Sequence, residues 1–289
     1  MGAESRNTLM VEDARVLSHD AFPGDQFVMR VQSPKIAALA KPGSFVHIRC
    51  SDSLEMRRPL SIMRSNANTG WVDLLYKATG FGTQQLSQRQ VGDNLSMIGP
   101  IGTPFTLNPE RPRALLIGGG VGIPPMVFIA SEMQSGDWKP LAILGSEVPF
   151  PFTAEPSRTL VPGMPDGVIA CMPLLEQWGI PSRLTSLQGY PGCHEGYVTD
   201  LANTWLETLN DEQRAEVEIY ACGPHPMLKA VAQLAQTWSL PCQVSLEEFM
   251  ACAVGGCAGC TVEIVTDSGS AMKRVCVDGP VFNAATVVF

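Results

Sequence analysis

An apolar run, Ala114 to Ile117, passes without a break into Gly118-Gly119-Gly120-Val121-Gly122, and a helix-like stretch starts at Pro124-Pro125. A strand that empties into glycines and turns at once into a helix is the opening unit of a parallel α/β sheet. The glycines allow a tight turn and a close approach of the backbone to a diphosphate. Two prolines suit the first helical turn, where N–H groups have no partner inside the helix. The order recurs: "PLAILG" reads as a second strand, and "EVEIYACGPHPMLKAVAQLAQTW" as a third strand, a Cys222-Gly223-Pro224 turn and a helix. Alternation of this kind predicts a parallel sheet with a ligand over the carboxyl ends of its strands. The loop departs from G-x-G-x-x-G by ending in proline, and a plain strand-to-helix turn would use the same glycines.

Upstream the pattern differs. From about Thr8 to Pro100, six short β-like runs are separated by turn signals such as Phe22-Pro23-Gly24, Lys41-Pro42-Gly43 and Asn68-Thr69-Gly70. With one short helix over 82–88, they predict a closed or nearly closed antiparallel barrel. The change of character places a boundary near Arg111. Between Glu147 and Glu195 the pattern is poor, and the proline-rich stretch 148–167 reads as a long loop, either a lid or an irregular insertion.

Near the C-terminus the thiols crowd. Of nine cysteines, four are spaced Cys252-x4-Cys257-x2-Cys260-x15-Cys276, with alanines and glycines between the first three. This is the plant-type spacing for a 2Fe–2S cluster, which needs four converging thiolates and a small-residue loop wrapped closely around it. A structural zinc site or buried free cysteines are the alternatives; zinc more often uses two C-x2-C knuckles, and Cys276 stands alone. In the barrel region, Arg58-Pro59-Leu60-Ser61 offers a guanidinium and a hydroxyl on one strand, suited to a pyrophosphate. Gly80-Phe81-Gly82-Thr83 opens a short helix whose N-terminus can face phosphate.

Composition excludes several classes. The 289 residues are 45% hydrophobic and carry a net charge of −8, with no basic stretch to track nucleic acid. No apolar run is long enough for a membrane span. The first residues lack a secretory h-region, and Arg6 stands where a myristoylation motif needs Ser or Thr. An odd cysteine count without a signal argues against a secreted disulfide framework, so the cytoplasm is the expected location.

Together the motifs resemble the ferredoxin–NADP⁺ reductase superfamily. Within it, they are similar to the iron–sulfur electron-transfer subunit of NAD-linked dihydroorotate dehydrogenase. The matching stretches are Arg58-Pro59-Leu60-Ser61, Gly80 to Thr83, Gly99-Pro100-Ile101-Gly102, the glycine-rich loop, Cys222 to Leu228, and Glu247-Glu248-Phe249-Met250-Ala251-Cys252. The resemblance implies a β plus α/β multidomain chain. Its parts would be a flavin-binding barrel (1–110), an NAD(P)-binding α/β domain (111–241) and a small 2Fe–2S module (242–289). It implies FAD at Arg58, Pro59, Leu60, Ser61, Gly80, Gly82 and Thr83. It places the nicotinamide nucleotide at Gly118, Gly119, Gly120, Gly122, Cys222, Gly223 and Pro224, and the cluster on the four spaced cysteines. The implied partner is an FMN-containing dihydroorotate dehydrogenase. A reductase subunit serving a hydrogenase, ferredoxin or oxygenase shares the same motifs, and a nucleotide- and zinc-binding protein without activity is a further reading.

No protein acid or base is assigned, because hydride transfer to a flavin needs none. For the nucleotide, Glu147 after the second α/β strand would repel a 2′-phosphate, whereas Arg183, with Ser182, Thr185 and Ser186, offers either a site for one or a solvated surface cation. The resemblance favours NADH over NADPH.

Overall fold

The computed structural model describes residues 9–289; the reading of Arg6 falls outside them. The six expected strands form β1 (Met10–Phe22), β2 (Gln26–Gln32), β3 (Phe45–Ile48), β4 (Arg58–Asn66), β5 (Trp71–Lys77) and β6 (Asn94–Ile101). They close into an antiparallel barrel in the order β1-β2-β5-β4-β3-β6. Alternate residues fill its interior, among them Val46, Ile48, Leu60, Ile62, Val72 and Leu74. Strand alternation therefore turns Phe45, His47, Pro59 and Ser61 to the outer face, side by side across the β3–β4 ladder. The expected short helix is α2 (Phe81–Leu86), and a second one, α1 (Pro34–Leu39), was not read from the sequence. It forms because Pro34 sets the first turn and the Glu12 carboxylate accepts from the Lys35 and Ile36 N–H groups, both at 3.0 Å.

The second half continues with β7 (Arg113–Gly119), α3 (Ile123–Glu132), β8 (Leu141–Gly145), β9 (Glu155–Pro156), β10 (Ala170–Cys171), α4 (Pro173–Gln177) and β11 (Ser182–Thr185). Then come α5 (Val198–Glu207), α6 (Asp211–Ala215), β12 (Val217–Cys222), α7 (His225–Thr237), β13 (Cys242–Ser245), β14 (Thr261–Thr266), β15 (Gly269–Arg274) and β16 (Val281–Asn283). The sheet order is β11-β8-β7-β12-β13-β16, parallel except for β16, which runs antiparallel to β13. Cys242–Ser245 belongs to the α/β sheet, and the thiol-bearing segment leaves it only at Leu246 and returns at Val281.

Helix α3 is apolar along most of its length because it is sandwiched: it packs on β7 beneath and on β4 of the barrel, with Phe128 reaching the barrel core. The stretch 148–167 is anchored rather than free along its length. Phe150 and Val161 are buried, Gln26 Nε2 donates to the Pro149 carbonyl at 2.6 Å, and β9 pairs with β10.

Candidate functional site

The strand order of the sheet reverses between β7 and β12. From β7 the chain moves outward to β8 and β11, then returns to β12 on the other side. A crevice at such a switch point receives a ligand between the two flanking turns, here Gly118–Gly122 and Cys222–Pro224. The glycines there differ in role. A Cβ on Gly119 would stand 2.5 Å from Met227 Sδ, and one on Gly122 would stand 2.5 Å from Gly223 N and closer still to the Cys222 carbonyl. One on Gly118 would meet Leu144 Cδ2 and Ile123 Cα at 3.1 Å. Gly119 and Gly122 permit the Cys222 turn and α7 to pack on this loop, and Gly118 the close approach of α3 and β8. Gly120 alone of the four has open space before it and a φ of +55°, so it is where a diphosphate can approach the backbone.

Cys222 lies opposite Gly118 in the ladder and is fully buried. Burial, reinforced by the nearby Glu247 carboxylate, pushes its thiol well above the ordinary range, so it is neutral. Glu247 lines a cavity of about 160 Å³ together with Gly223, Pro224, Leu228 and Val288. Its side chain is open to solvent on one side, but the protein crowding it pushes its carboxyl upward.

On the barrel, the two motifs separated in sequence meet. The Arg58 guanidinium donates to the Met56 and Arg57 carbonyls at 3.0 and 3.1 Å and lies against the first turn of α2. A Cβ on Gly82 would stand 2.8 Å from Arg58 Nε, so only glycine lets the cation sit there. Gly80 faces open space. Ser61 is half-buried, and its hydroxyl has no partner among the described residues. Thr83 Oγ1 accepts from Gly80 N–H at 3.2 Å and donates to the Gly80 carbonyl at 3.0 Å, which caps α2 and fixes the loop. Leu60, read as a contact residue, points into the barrel core, so it can offer a ligand only its backbone.

The four spaced cysteines come together as two pairs. Cys260 Sγ lies 3.4 Å from Cys276 Sγ, both buried, while Cys252 pairs with the exposed Cys257. Among the described residues no three His, Cys, Asp or Glu side chains gather as a single cation would require. Two pairs suit two irons with two thiolates each better than one zinc ion with four. Burial opposes ionisation of Cys252, but N–H groups of Val254, Cys257 and Gly256 and the Cys257 thiol bring it down to about 7. Burial and the Cys260 thiol push Cys276 up to about 12 in the absence of a metal. The loop wraps with three residues in the left-handed region, Gly255 at +85°, Ala253 at +56° and Ala258 at +52°. Arg274 Nη1 donates to the Gly255 carbonyl at 3.0 Å and holds this bend.

Residues 247–288 match the iron–sulfur cluster binding domain of dihydroorotate dehydrogenase B, and residues 8–105 match an oxidoreductase FAD-binding domain. The chain is 32% identical over 281 residues to the dihydroorotate dehydrogenase B (NAD⁺) electron transfer subunit of Desulforamulus reducens, covering 96% of this chain and 98% of that one. The chain belongs to this family of electron transfer subunits. The Caldanaerobacter subterraneus member is 34% identical over 277 residues, again with 96% and 98% covered. Among solved structures, NADH-dependent reduced ferredoxin-NADP oxidoreductase superposes with a TM-score of 0.76 at 26% identity, covering all of this chain and 91% of that one. Phthalate dioxygenase reductase shares the fold, with a TM-score of 0.56 at 13% identity over 92% of this chain and 76% of that one.

For a member of the electron transfer subunit family, three side chains stand out that the motifs did not single out correctly. Glu247 was quoted only as part of a motif; its cavity-lining place comes from β13 delivering it next to the Cys222 turn. His47 carried no signal in the sequence beyond its strand. Arg183 is neither a solvated cation nor free for a 2′-phosphate: it is 4% exposed, and its guanidinium donates to the Ser182 and Thr159 carbonyls at 2.7 and 2.8 Å. Glu147, by contrast, is exposed just beyond the carboxyl end of β8.

Proposed function

We propose that this chain couples NADH/NAD⁺ at the switch-point crevice to one-electron transfer to or from a partner redox subunit, an FMN-containing dihydroorotate dehydrogenase of pyrimidine biosynthesis. The observation that carries this reading is the arrangement of four thiols in two pairs on a segment that the α/β sheet sends out and takes back. FAD bound at the barrel supplies the conversion of a two-electron hydride into single electrons, and a 2Fe–2S cluster supplies the one-electron exit.

The residues divide the work. Arg58, held beside Gly82, presents positive charge to the FAD pyrophosphate, and Ser61 offers a free hydroxyl on the same strand. Gly120 opens the backbone to the nucleotide diphosphate, and the neutral Cys222 and the crowded Glu247 border the cavity beside the Cys222–Pro224 turn. Cys252 and Cys257 would hold one iron, Cys260 and Cys276 the other. The FAD part ends near residue 110, and the nucleotide part runs to Ser245. With Arg183 committed to carbonyls and Glu147 exposed, nothing at these two positions favours a 2′-phosphate, in keeping with NADH. No helix among the described residues is long and apolar enough to cross a membrane, and we place the complex in the cytoplasm.

Anaerobically purified protein should show flavin and 2Fe–2S absorption, both bleached by NADH. Mixed with the catalytic subunit, it should reduce NAD⁺ at the expense of dihydroorotate. Efficient reduction of a ferredoxin or an oxygenase component, with none of this coupling, would assign the chain to a different partner.

A further inference from the structure

His47 sits on the outer face of β3, opposite Pro59 of β4, and is 1% exposed. Both of its ring nitrogens lack a hydrogen-bond partner; among the described residues the only other buried side-chain atom in that condition is Arg183 Nε. A folded chain rarely leaves a buried imidazole unpaired, because its desolvation is then uncompensated. Burial, with the Arg57 and Arg58 charges, lowers its pKa to about 4, so the ring is neutral and carries one N–H donor.

The backbones of Arg57 and Met250 face this ring. Both favour its protonated form, as acceptor carbonyls do, yet neither stands in hydrogen-bond geometry. Arg57 also donates to the carbonyls of His47 at 3.4 Å and Ser96 at 2.6 Å, which locks β3 against β6. Met250 lies two residues before Cys252, on a segment with few ties. Residues 247–259 form no helix or strand and, among the described residues, no backbone–backbone hydrogen bond. Leu246 N–H donates to the Pro280 carbonyl at 2.9 Å at one end, and Val275 N–H to the Cys260 carbonyl at 2.8 Å at the other. Arg274 holds Gly255 between them. His47 is a polar group of the barrel that faces this segment, at Met250.

We propose that His47 is a positioning residue, whose ring N–H takes the Met250 carbonyl when the thiol-bearing segment is seated and so sets its distance from the barrel face carrying Pro59 and Ser61. The inference rests on the proposed FAD and cluster sites, because its consequence is the spacing between them.

The test compares loaded full-length protein with its His47→Leu and His47→Gln variants by hydrogen–deuterium exchange and anaerobic stopped-flow. In His47→Leu, exchange across 246–257, where the Leu246, Val254, Gly256 and Cys257 N–H groups are bonded, should rise roughly 3- to 10-fold, the effect of one lost hydrogen bond, while β3 and β4 stay protected. NADH should reduce the flavin at the unaltered rate, and electron arrival at the cluster should slow. His47→Gln, which restores a donor, should recover both. Unchanged exchange at 246–257 overturns the proposal, as does a rise shared by β3 and β4 or a slowing confined to flavin reduction. If the unmodified protein shows no cluster reduction at all, the functional reading has failed, and the exchange comparison still decides the role of His47.

Discussion

Replacing Gly122 and Gly120 by alanine separates packing from ligand approach within one loop. At Gly122 the new methyl would sit 2.5 Å from Gly223 N and still nearer the Cys222 carbonyl, against backbone that cannot swing away as a side-chain tip can. Overpacking of a tight interior costs about 1–3 kcal/mol, and a backbone obstacle belongs at the upper end. For a chain of this size about 3 kcal/mol corresponds to a fall in Tm of roughly 6–12 °C. At Gly120 the methyl meets open space, and the penalty is that of a left-handed alanine at a φ of +55°, about 1–2 kcal/mol. That variant should lose less stability than Gly122→Ala yet bind NAD⁺ more weakly, because the methyl enters the volume where the diphosphate approaches. Thermal unfolding of both variants, with an equilibrium NAD⁺ titration of Gly120→Ala, makes the comparison. If Gly122→Ala melts with the wild type, or if Gly120→Ala is the less stable of the two, the division of roles is wrong.

Other outcomes follow from the same geometry. Arg58→Ala should weaken FAD binding by roughly 10- to 150-fold, the range expected of one charge-assisted contact worth about 1.5–3 kcal/mol; unchanged affinity in a flavin titration would remove Arg58 from the site. Cys276→Ser should strip iron and acid-labile sulfide together, since it breaks the Cys260–Cys276 pair; stoichiometric zinc in the unmodified protein would refute the cluster assignment. Arg183→Ala should leave the NADH/NADPH ratio of kcat/KM unchanged, because its guanidinium is spent on carbonyls; a shift in that ratio would return it to the nucleotide site. Because the folded pKa of His47 is depressed from 6.5 to about 4, the fold resists its protonation. Wild-type stability should therefore fall relative to His47→Leu as pH drops from 6.5 towards 4, by up to about 3 kcal/mol, and a pH-independent difference would contradict this.

How far the sequence revealed this arrangement depended on whether local pattern or distant packing decided the outcome. The barrel strands were legible because alternating runs lie between turn signals such as Lys41-Pro42-Gly43. The thiol loop was legible because its spacing is set by covalent reach. Strand β13 was not, since "CQVS" is only four residues long, and only its pairing with β12 and β16 reveals it as part of the sheet. The packing of Gly118, Gly119 and Gly122 was not legible for a related reason: a glycine that admits a ligand and one that admits Met227 or a neighbouring turn look the same in a sequence. Arg183 reads as a surface cation until the 159 loop folds over it and supplies a carbonyl.

The placement of β13 and β16 bears on how the two transfers are held together. The thiol segment leaves the sheet after Ser245, the residue that pairs with Cys222 at the nucleotide crevice, and its return strand β16 pairs with β13 at that same residue. Both ends of the segment are thus fixed to the carboxyl edge that receives the nucleotide, whereas the residues proposed for FAD are fixed to the barrel. On the proposed sites, the spacing from nucleotide to flavin is set by α3 wedged between β7 and β4, and the spacing from flavin to cluster by the proposed contact of His47 with Met250. The first contact is broad and apolar, with Phe128 buried in the barrel, and should resist opening. The second rests on a segment without backbone hydrogen bonds of its own, so the electron exit is the step whose geometry small changes in the chain or its partner can adjust.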